Sequence, residues 1–442
     1  GILRNSINRQ NTYGLISKLN YDLSDELKLQ VGLDWRTAGI EHAREVRDLL
    51  GGDYYVDFAD DNAPDGKVVR LGDIIAYHNE TTVDWIGGFL QGNYTTDKLN
   101  LYGMGGLSSI TYTYEDHFAV NVDEDGNSID NLVKADAITT YQLKGGGLYN
   151  INDNVGVFLN AGLVEKAPIL DNVIYYDGTV ATDPANEKFI ASEFGVNYGT
   201  DKFGVKVSAY NTDWKDRNLT KSVSTGQGSS GDTDIIYLTG VDQSHSGFEI
   251  ESKVALHEMV ELDLAVSIGN WFFDGDAKGD YTELEYNDDN QVIGQTSTEY
   301  QYALNNLMVG DMPQTSYVGG LTLKPIKGLS VQGLYRWYDN HYADWSPDAR
   351  EVDEDGADRA QVWKTPSYGK LDIHASYKLP EVAGLDMTLS AHLFNALDDV
   401  YIQDATDNSK YNGYGDKLHL AHNAEVFLGT PRHYNLGLTV NF

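Results

Sequence analysis

Apolar and polar positions alternate along most of the chain. Leu385, Met387, Leu389, Ala391 and Leu393 fall on one face of an extended segment, and Asp386, Thr388, Ser390 and His392 on the other. Leu371, Ile373, Ala375, Tyr377 and Leu379 oppose Asp372, His374, Ser376 and Lys378 in the same way, and Val260, Leu262, Leu264, Val266 and Ile268 oppose Glu261, Asp263 and Ser267. A last run gathers Tyr434, Leu436, Leu438, Val440 and Phe442. Period two predicts about fifteen strands, at 11-21, 27-36, 82-95, 98-115, 137-150, 155-165, 189-199, 203-215, 245-256, 260-273, 313-324, 329-340, 367-379, 385-396 and 433-442.

Alternation alone does not tell a lipid-facing surface from a dry core, because a soluble sandwich has the same period. Connection length separates the two. Tight turns at Asp22 to Glu26, Thr96-Asp97, Ile151 to Asn154, Thr200 to Lys202, His257 to Met259, Pro325 to Gly328 and Pro380 to Gly384 alternate with long gaps at 37-81, 116-136, 166-188, 216-244, 274-312, 341-366 and 397-432. An outer-membrane barrel has this asymmetry, with short turns at the periplasmic rim and long loops outside. Tyr21, Tyr94, Tyr149, Tyr198, Trp271, Trp337 and Tyr377 fall toward strand ends, where amphipathic rings suit a lipid-water boundary. The expected fold is therefore all-β, a transmembrane antiparallel up-and-down barrel.

Composition narrows the chemistry. The chain of 442 residues carries Lys+Arg 32 against Asp+Glu 67, a formal charge of −35, which opposes a nucleic-acid partner because a phosphate backbone requires a basic face. With no Cys, disulfides and thiolate-ligated zinc are excluded. No apolar run is long enough for a spanning helix, a test to which barrel strands are blind. The start, Gly1-Ile2-Leu3-Arg4-Asn5, has neither an initiator Met nor a signal region, and the chain is expected to be a processed or partial one.

Pro366-Ser367-Tyr368-Gly369-Lys370-Leu371-Asp372-Ile373 with Ala375-Ser376-Tyr377 looks like a late strand of the TonB-dependent outer-membrane receptors, particularly of the branch found in Bacteroidetes, and further segments resemble the C-terminal part of the same family. Leu393-Phe394-Asn395-Ala396-Leu397 with Tyr401-Ile402 is similar to its "LFN…Y" signature. Val426-Phe427-Leu428-Gly429-Thr430-Pro431-Arg432 leads into the terminal strand as the family's "G-x-P-R…F" does. Asn160-Ala161-Gly162-Leu163, Lys166-Ala167-Pro168-Ile169-Leu170-Asp171-Asn172 and Asn186-Glu187-Lys188 resemble the region before its mid-barrel hairpin, with Lys166 where the family usually has Arg.

The resemblance implies about twenty-two strands around a plugged lumen, so residues 1-442 are expected to be the C-terminal fifteen or so, without the plug, the first strands or the TonB box. It also implies residence in the outer membrane among lipid and lipopolysaccharide, energised uptake through the TonB complex, and a possible surface lipoprotein partner. Glycan, peptide, siderophore and vitamin all remain open as cargo.

Loop aromatics are the candidate substrate contacts: Tyr175, Tyr176, Tyr338, Tyr342, Trp345 and Trp363 offer flat faces to sugars or other amphipathic ligands above the lumen. Interface anchoring and loop packing are the plain alternatives. The acidic tips 121-126 and 351-356 match the first half of a calcium loop, with Asp123, Asp125, Asp353 and Asp355 as candidate ligands, but Leu132 and Val362 occupy the place of the bidentate Glu. Calcium is thus possible and no cofactor is required; a solvated hairpin tip explains the same residues. Gly226 to Gly231 fits a dinucleotide fingerprint formally but lacks its strand and helix. His419 and His422, three apart near Tyr411 and Tyr414, offer a metal or ligand contact, with ordinary loop residues as the plain alternative.

No catalytic constellation is legible, and an enzyme is not expected. The competing readings are a passive porin, a barrel anchoring a surface assembly, and a secreted soluble β protein that binds carbohydrate.

Overall fold

The computed structural model describes residues 1-120, 131-175, 178-182, 184-224, 233-286, 292-352, 356-380, 384-408 and 418-441. Its wall is a meander of long strands: Leu3–Asp22, Leu27–Asp48, Ile74–Thr95, Leu99–Asp116, Ile138–Asn150, Val155–Lys166, Glu187–Gly199, Phe203–Ser224, Thr233–His257, Val260–Phe273, Thr315–Leu323, Leu329–Asp339, Tyr368–Lys378, Asp386–Phe394 and His433–Asn441. Each pairs antiparallel with the next. These are the fifteen strands that alternation predicts.

Seven more strands lie within the long connections and bring the total among the described residues to 22: Tyr55–Asp57, Lys67–Val69, Leu132–Lys134, Ala277–Tyr286, Val292–Tyr302, Ile402–Thr406 and Glu425–Leu428. The expected gaps 37-81 and 216-244 are much shorter than the alternation suggests, whereas 274-312, 341-366 and 397-432 keep their length. The second wall strand runs on to Asp48 and the third begins at Ile74, so much of 37-81 is wall. Beyond the hydrocarbon a strand no longer needs an apolar face, and the alternation that marks it fades.

Register settles which way each face looks. Leu33, Ile86 and Leu107 are exposed and stand on the same face of adjacent strands, as do Phe248 and Ile268, and Leu389 and Leu438. The opposite face holds hydrogen-bonded polar groups: Gln91 with Asn93, Asn160 with Glu193, Gln332 with Asp263, and Arg336 with Asp372. A band of exposed aliphatic and aromatic side chains on the wall strands, Tyr368–Lys378 excepted, is the reverse of a water-facing exterior, which removes the soluble reading. No helix in the described residues is long and apolar enough to cross a membrane.

Of the predicted boundary aromatics, Trp271 is misplaced. It stands opposite His245 on the inward face, one position out of phase with outward Ile268 and Asn270. Proximity to a strand end does not fix the face; parity does.

Among the described residues the buried cores lie where the outer ends of the wall strands meet the long connections. The largest joins Leu238, Val241, Phe273, Ala277, Tyr302, Leu304, Leu307, Trp345 and Val362. A second packs Tyr112 and Tyr114 against Val173 and Ile174, and a third joins Val46, Val69 and Ile75.

Candidate functional site: the inner wall beneath the loops

Four adjacent strands place aromatic side chains around a cavity of about 270 Å³, lined by Phe189, Tyr210, Thr212, Trp214, His245 and Trp271. All are on the inward face. Trp214 lies eleven residues above the start of its strand at Phe203, or about 36 Å along the strand from the short-turn rim, which puts the cavity toward the external mouth.

Glycines make room for the rings. Gly247 pairs with Tyr210 on one side and Gly269 on the other. A Cβ at Gly247 would stand 2.4 Å from Tyr210 Oη, and one at Gly269 2.7 Å from Trp271 Nε1. The two rings therefore lie over a bare backbone row, where Trp271 Nε1 donates to Tyr210 Oη at 3.0 Å. Gln314, almost wholly buried, holds Trp271 from behind: its Oε1 accepts from Trp271 N at 2.8 Å and its Nε2 donates to Trp271 O at 2.9 Å.

Across the cavity Phe189 and Trp214 approach to 4.8 Å between centroids, and Arg217 lies over the Trp214 ring at 4.3 Å. Trp214 Nε1 donates to Glu187 Oε2 at 2.9 Å, and Lys166 Nζ donates to Glu187 Oε1 at 3.0 Å. Glu187 is only 1% exposed, so the cation at position 166 is needed to offset a buried carboxylate. The chemistry on offer is flat aromatic surface with a few directed polar atoms, suited to gripping a ring rather than transforming it.

A second inward group lies one sector away. Tyr338, opposite Tyr368 in register, is 5.1 Å from it, and Tyr368 stacks on Tyr401 at 4.6 Å. Nearer the short-turn rim, a cleft of about 450 Å³ mixes apolar Leu101, Leu148 and Phe158 with polar Asn160, Glu193 and Lys206. Asn160 accepts from the Tyr102 hydroxyl at 3.3 Å and donates to Glu193 at 3.1 Å, and Lys206 pairs with Glu193 at 3.2 Å.

The predicted loop contacts do not form one surface. Tyr338 is on the inner wall. Trp345 is 2% exposed, packed on Phe273 and Tyr302, and Tyr342 packs partly against the same core, so Trp345 presents no face to a ligand. Trp363 is half-buried, its backbone N donating to Asp407 at 3.4 Å. Tyr175 lies apart, just after the short 3-10 turn Leu170–Asn172. Tyr176, Asp123, Asp125, Asp353 and Asp355 fall outside the described residues, as does Gly226 to Gly231. His419 does not pair with His422; both its ring nitrogens face carboxylates, of Asp407 and Asp358. Sequence reasoning missed Phe189, Tyr210, Trp214 and His245. Their usable signal was parity, since each falls on the polar face of its strand.

A search among curated proteins finds no match. Among solved structures, the copper transporter OprC is similar at 16% identity and a TM-score of 0.61, covering 98% of this chain and 57% of its own. The ferric yersiniabactin uptake receptor FyuA from Yersinia pestis is similar at 15% and 0.57, covering 99% and 55%. The ferric-catecholate import receptor Fiu from K12 E. coli is similar at 12% and 0.55, covering 98% and 54%. At these identities the likeness is one of fold, and this chain spans about half the length of each. The family described as TonB dependent receptor-like, beta-barrel, matches residues 2–396, and its members sit in the outer membrane. With its apolar band outward and its polar wall inward, this chain belongs to the TonB-dependent receptor β-barrel family.

Proposed function

We propose that the chain is the barrel portion of an energised outer-membrane importer, and that its cargo is gripped by the inward aromatic pocket of Phe189, Tyr210, Trp214, His245 and Trp271. The observation that carries this reading is the row of glycines under Tyr210 and Trp271, which lets two rings lie flat on the inner wall just below the loops. A cavity of about 270 Å³ accommodates one ring of a larger amphipathic molecule rather than the whole of it. Tyr338, Tyr368 and Tyr401 extend the aromatic surface toward the next sector, with Trp363 and Tyr175 as further contacts. The similar structures, two ferric-chelate receptors and a copper transporter, favour a metal chelate with a ring-bearing ligand.

Fifteen antiparallel strands set the first and last wall strands parallel to one another, whereas bacterial single-chain barrels have an even number. We propose that further strands complete the wall, with a plug seated against the cleft around Asn160 and Glu193, and that TonB supplies the energy. The test is uptake of a labelled ferric chelate by cells carrying the full-length receptor, with and without TonB, and with Trp271→Ala. Loss of uptake in both arms supports the reading. Uptake that survives the loss of TonB overturns the energised mechanism in favour of passive diffusion, and uptake indifferent to Trp271 overturns the pocket.

A further inference from the structure

Two strands of the wall place imidazole and carboxylate groups side by side far from the aromatic pocket. His78 and Glu80, two apart on Ile74–Thr95, share a face. His117 follows the strand Leu99–Asp116, and its backbone N donates to His78 O at 2.9 Å, continuing the register that pairs Glu80 with Glu115. Glu41 of the preceding strand is opposite Glu80. A row of three glutamates thus runs across three strands, with two histidines directly above it.

The face is the outward one. Glu41, Glu80 and Glu115 are in phase with exposed Trp35, Ile86 and Leu107, with no register shift between them. Glu80 lies fifteen residues, about 50 Å along the strand, from the short-turn end at Thr95. The apolar band of such a barrel is about 25 Å tall, or roughly 35 Å of strand at 45° tilt, so the group lies beyond the lipid on the external side.

Ring nitrogens and carboxylate converge there. One ligand atom each from His78, Glu80 and His117 lies within 4.8 Å of the others. The rings of His78 and His117 are 4.4 Å apart, and the Nε2 atoms of both are buried without a hydrogen bond. They approach Glu41 at 3.3 Å and Glu80 at 3.5 Å, but not in hydrogen-bonding geometry. Glu41 is already engaged: Arg9 donates to it at 3.0 Å and holds its carboxyl below the usual range. Among the described residues Glu80 has His117 as its ion-pair partner and no Lys or Arg, and Glu115 lies 3.7 Å from His117 Nδ1. Phe118 backs His78 edge-on at 6.3 Å and limits where that ring can turn.

We propose that His78, Glu80 and His117 form a binding site for a divalent cation of the zinc class on the external wall of the barrel. Two imidazole nitrogens and one carboxylate oxygen, with water at the fourth position, are a zinc donor set, whereas calcium and magnesium prefer oxygen alone. Small side-chain rotations close the ligand atoms around the ion. The bound cation takes up the orphaned nitrogens, offsets the glutamate row, and pins the two strands where they leave the membrane. This site does not depend on the cargo or on the aromatic pocket.

The experiment is titration of the full-length receptor, untagged and stripped with chelator in detergent, with Zn²⁺, alongside H78A, H117A and E80Q. Even loss of a hydrogen bond behind a metal ligand weakens binding about tenfold or more, so each His variant should lose at least that. Glu80→Gln should weaken binding less than loss of either histidine, because its amide oxygen still offers a neutral donor. Co²⁺ titration of the unaltered receptor gives a readout independent of folding: intense visible bands of a four- or five-coordinate ion bound by nitrogen are expected. Weak octahedral bands only, or Zn²⁺ affinity unchanged in both His variants, would overturn the proposal.

Discussion

His419 Nδ1 lies 2.5 Å from Asp407 Oδ2, joining the two arms of the last long connection, while its Nε2 lies 3.0 Å from Asp358 Oδ2 in the loop before. Arg350, fully buried, reaches Asp407 Oδ2 at 3.4 Å and donates to the backbone O of Asp358 and Ala360. Two carboxylates, an imidazole and a guanidinium thus tie three loop segments together. The hydrogen bond to Asp407 raises the His419 pKa, against an opposing effect of burial. For Asp358, burial pushes the carboxyl up, but the Ala360 amide, His419 and the Arg350 charge carry it below its usual value.

These opposite shifts bound a window. Stability from His419 is fully present below the unfolded histidine value of about 6.5 and is lost as pH rises through the folded value; that from Asp358 is present above about 3.9 and is lost as pH falls through its own. The loop cluster should be firmest between these limits. Protection of the Arg350 and Asp407 amides against hydrogen exchange, taken relative to the intrinsic rate at each pH from 4 to 9, should be highest in that window and fall on the alkaline side, and His419→Asn should abolish that alkaline fall. Arg350→Met removes one of the two cationic groups that face buried Asp407 and leaves His419 to offset its charge, a loss of about 3 kcal/mol, visible as loop proteolysis.

Trp345 belongs to the loop core and not to a ligand surface. Trp345→Ala should therefore cost about 3 to 5 kcal/mol of local stability, from the cavity left among Phe273, Tyr302 and Leu238. Protease sensitivity of 274-312 and 341-366 should rise, while heat-resistant migration of the barrel stays the same.

The glycine row gives a finer test of the aromatic pocket. Gly247→Ala drives a methyl group against Tyr210 and should swing the ring away. Ligand affinity should fall about tenfold, equivalent to about 1.4 kcal/mol, with the fold intact by circular dichroism. Unaltered affinity would show that the ring contributes nothing to binding.

Parity makes a prediction at the lipid surface. Leu264, outward on Val260–Phe273, should cost about 2 to 4 kcal/mol when replaced by Lys, because the ammonium faces hydrocarbon. Ser267 on the same strand looks inward beside Glu249, and Ser267→Lys should be close to neutral. Urea-dependent folding into bilayers measures both.

Much of the wall was legible because a strand that separates lipid from water must alternate, and alternation survives in one dimension. Leu264 and Asp263 announce their faces without any partner being known. Trp271 shows the limit: its place near a strand end suggested the lipid boundary, whereas counting from Ile268 turns it inward. Strand extensions such as Phe203–Ser224 past 215 left no trace, since nothing outside the membrane enforces the period.

The sequence by itself determined the fifteen wall strands, their inward and outward faces and the unequal rims, because each follows from local periodicity and spacing. Tertiary structure alone decided that Trp345 is core while Trp214 and Trp271 line a cavity. It also decided that His78 meets His117, and that His419 faces Asp358 from 61 residues away. Those contacts join residues distant in the chain through the register of neighbouring strands and the packing of loops, and a linear pattern of apolar and polar letters carries neither.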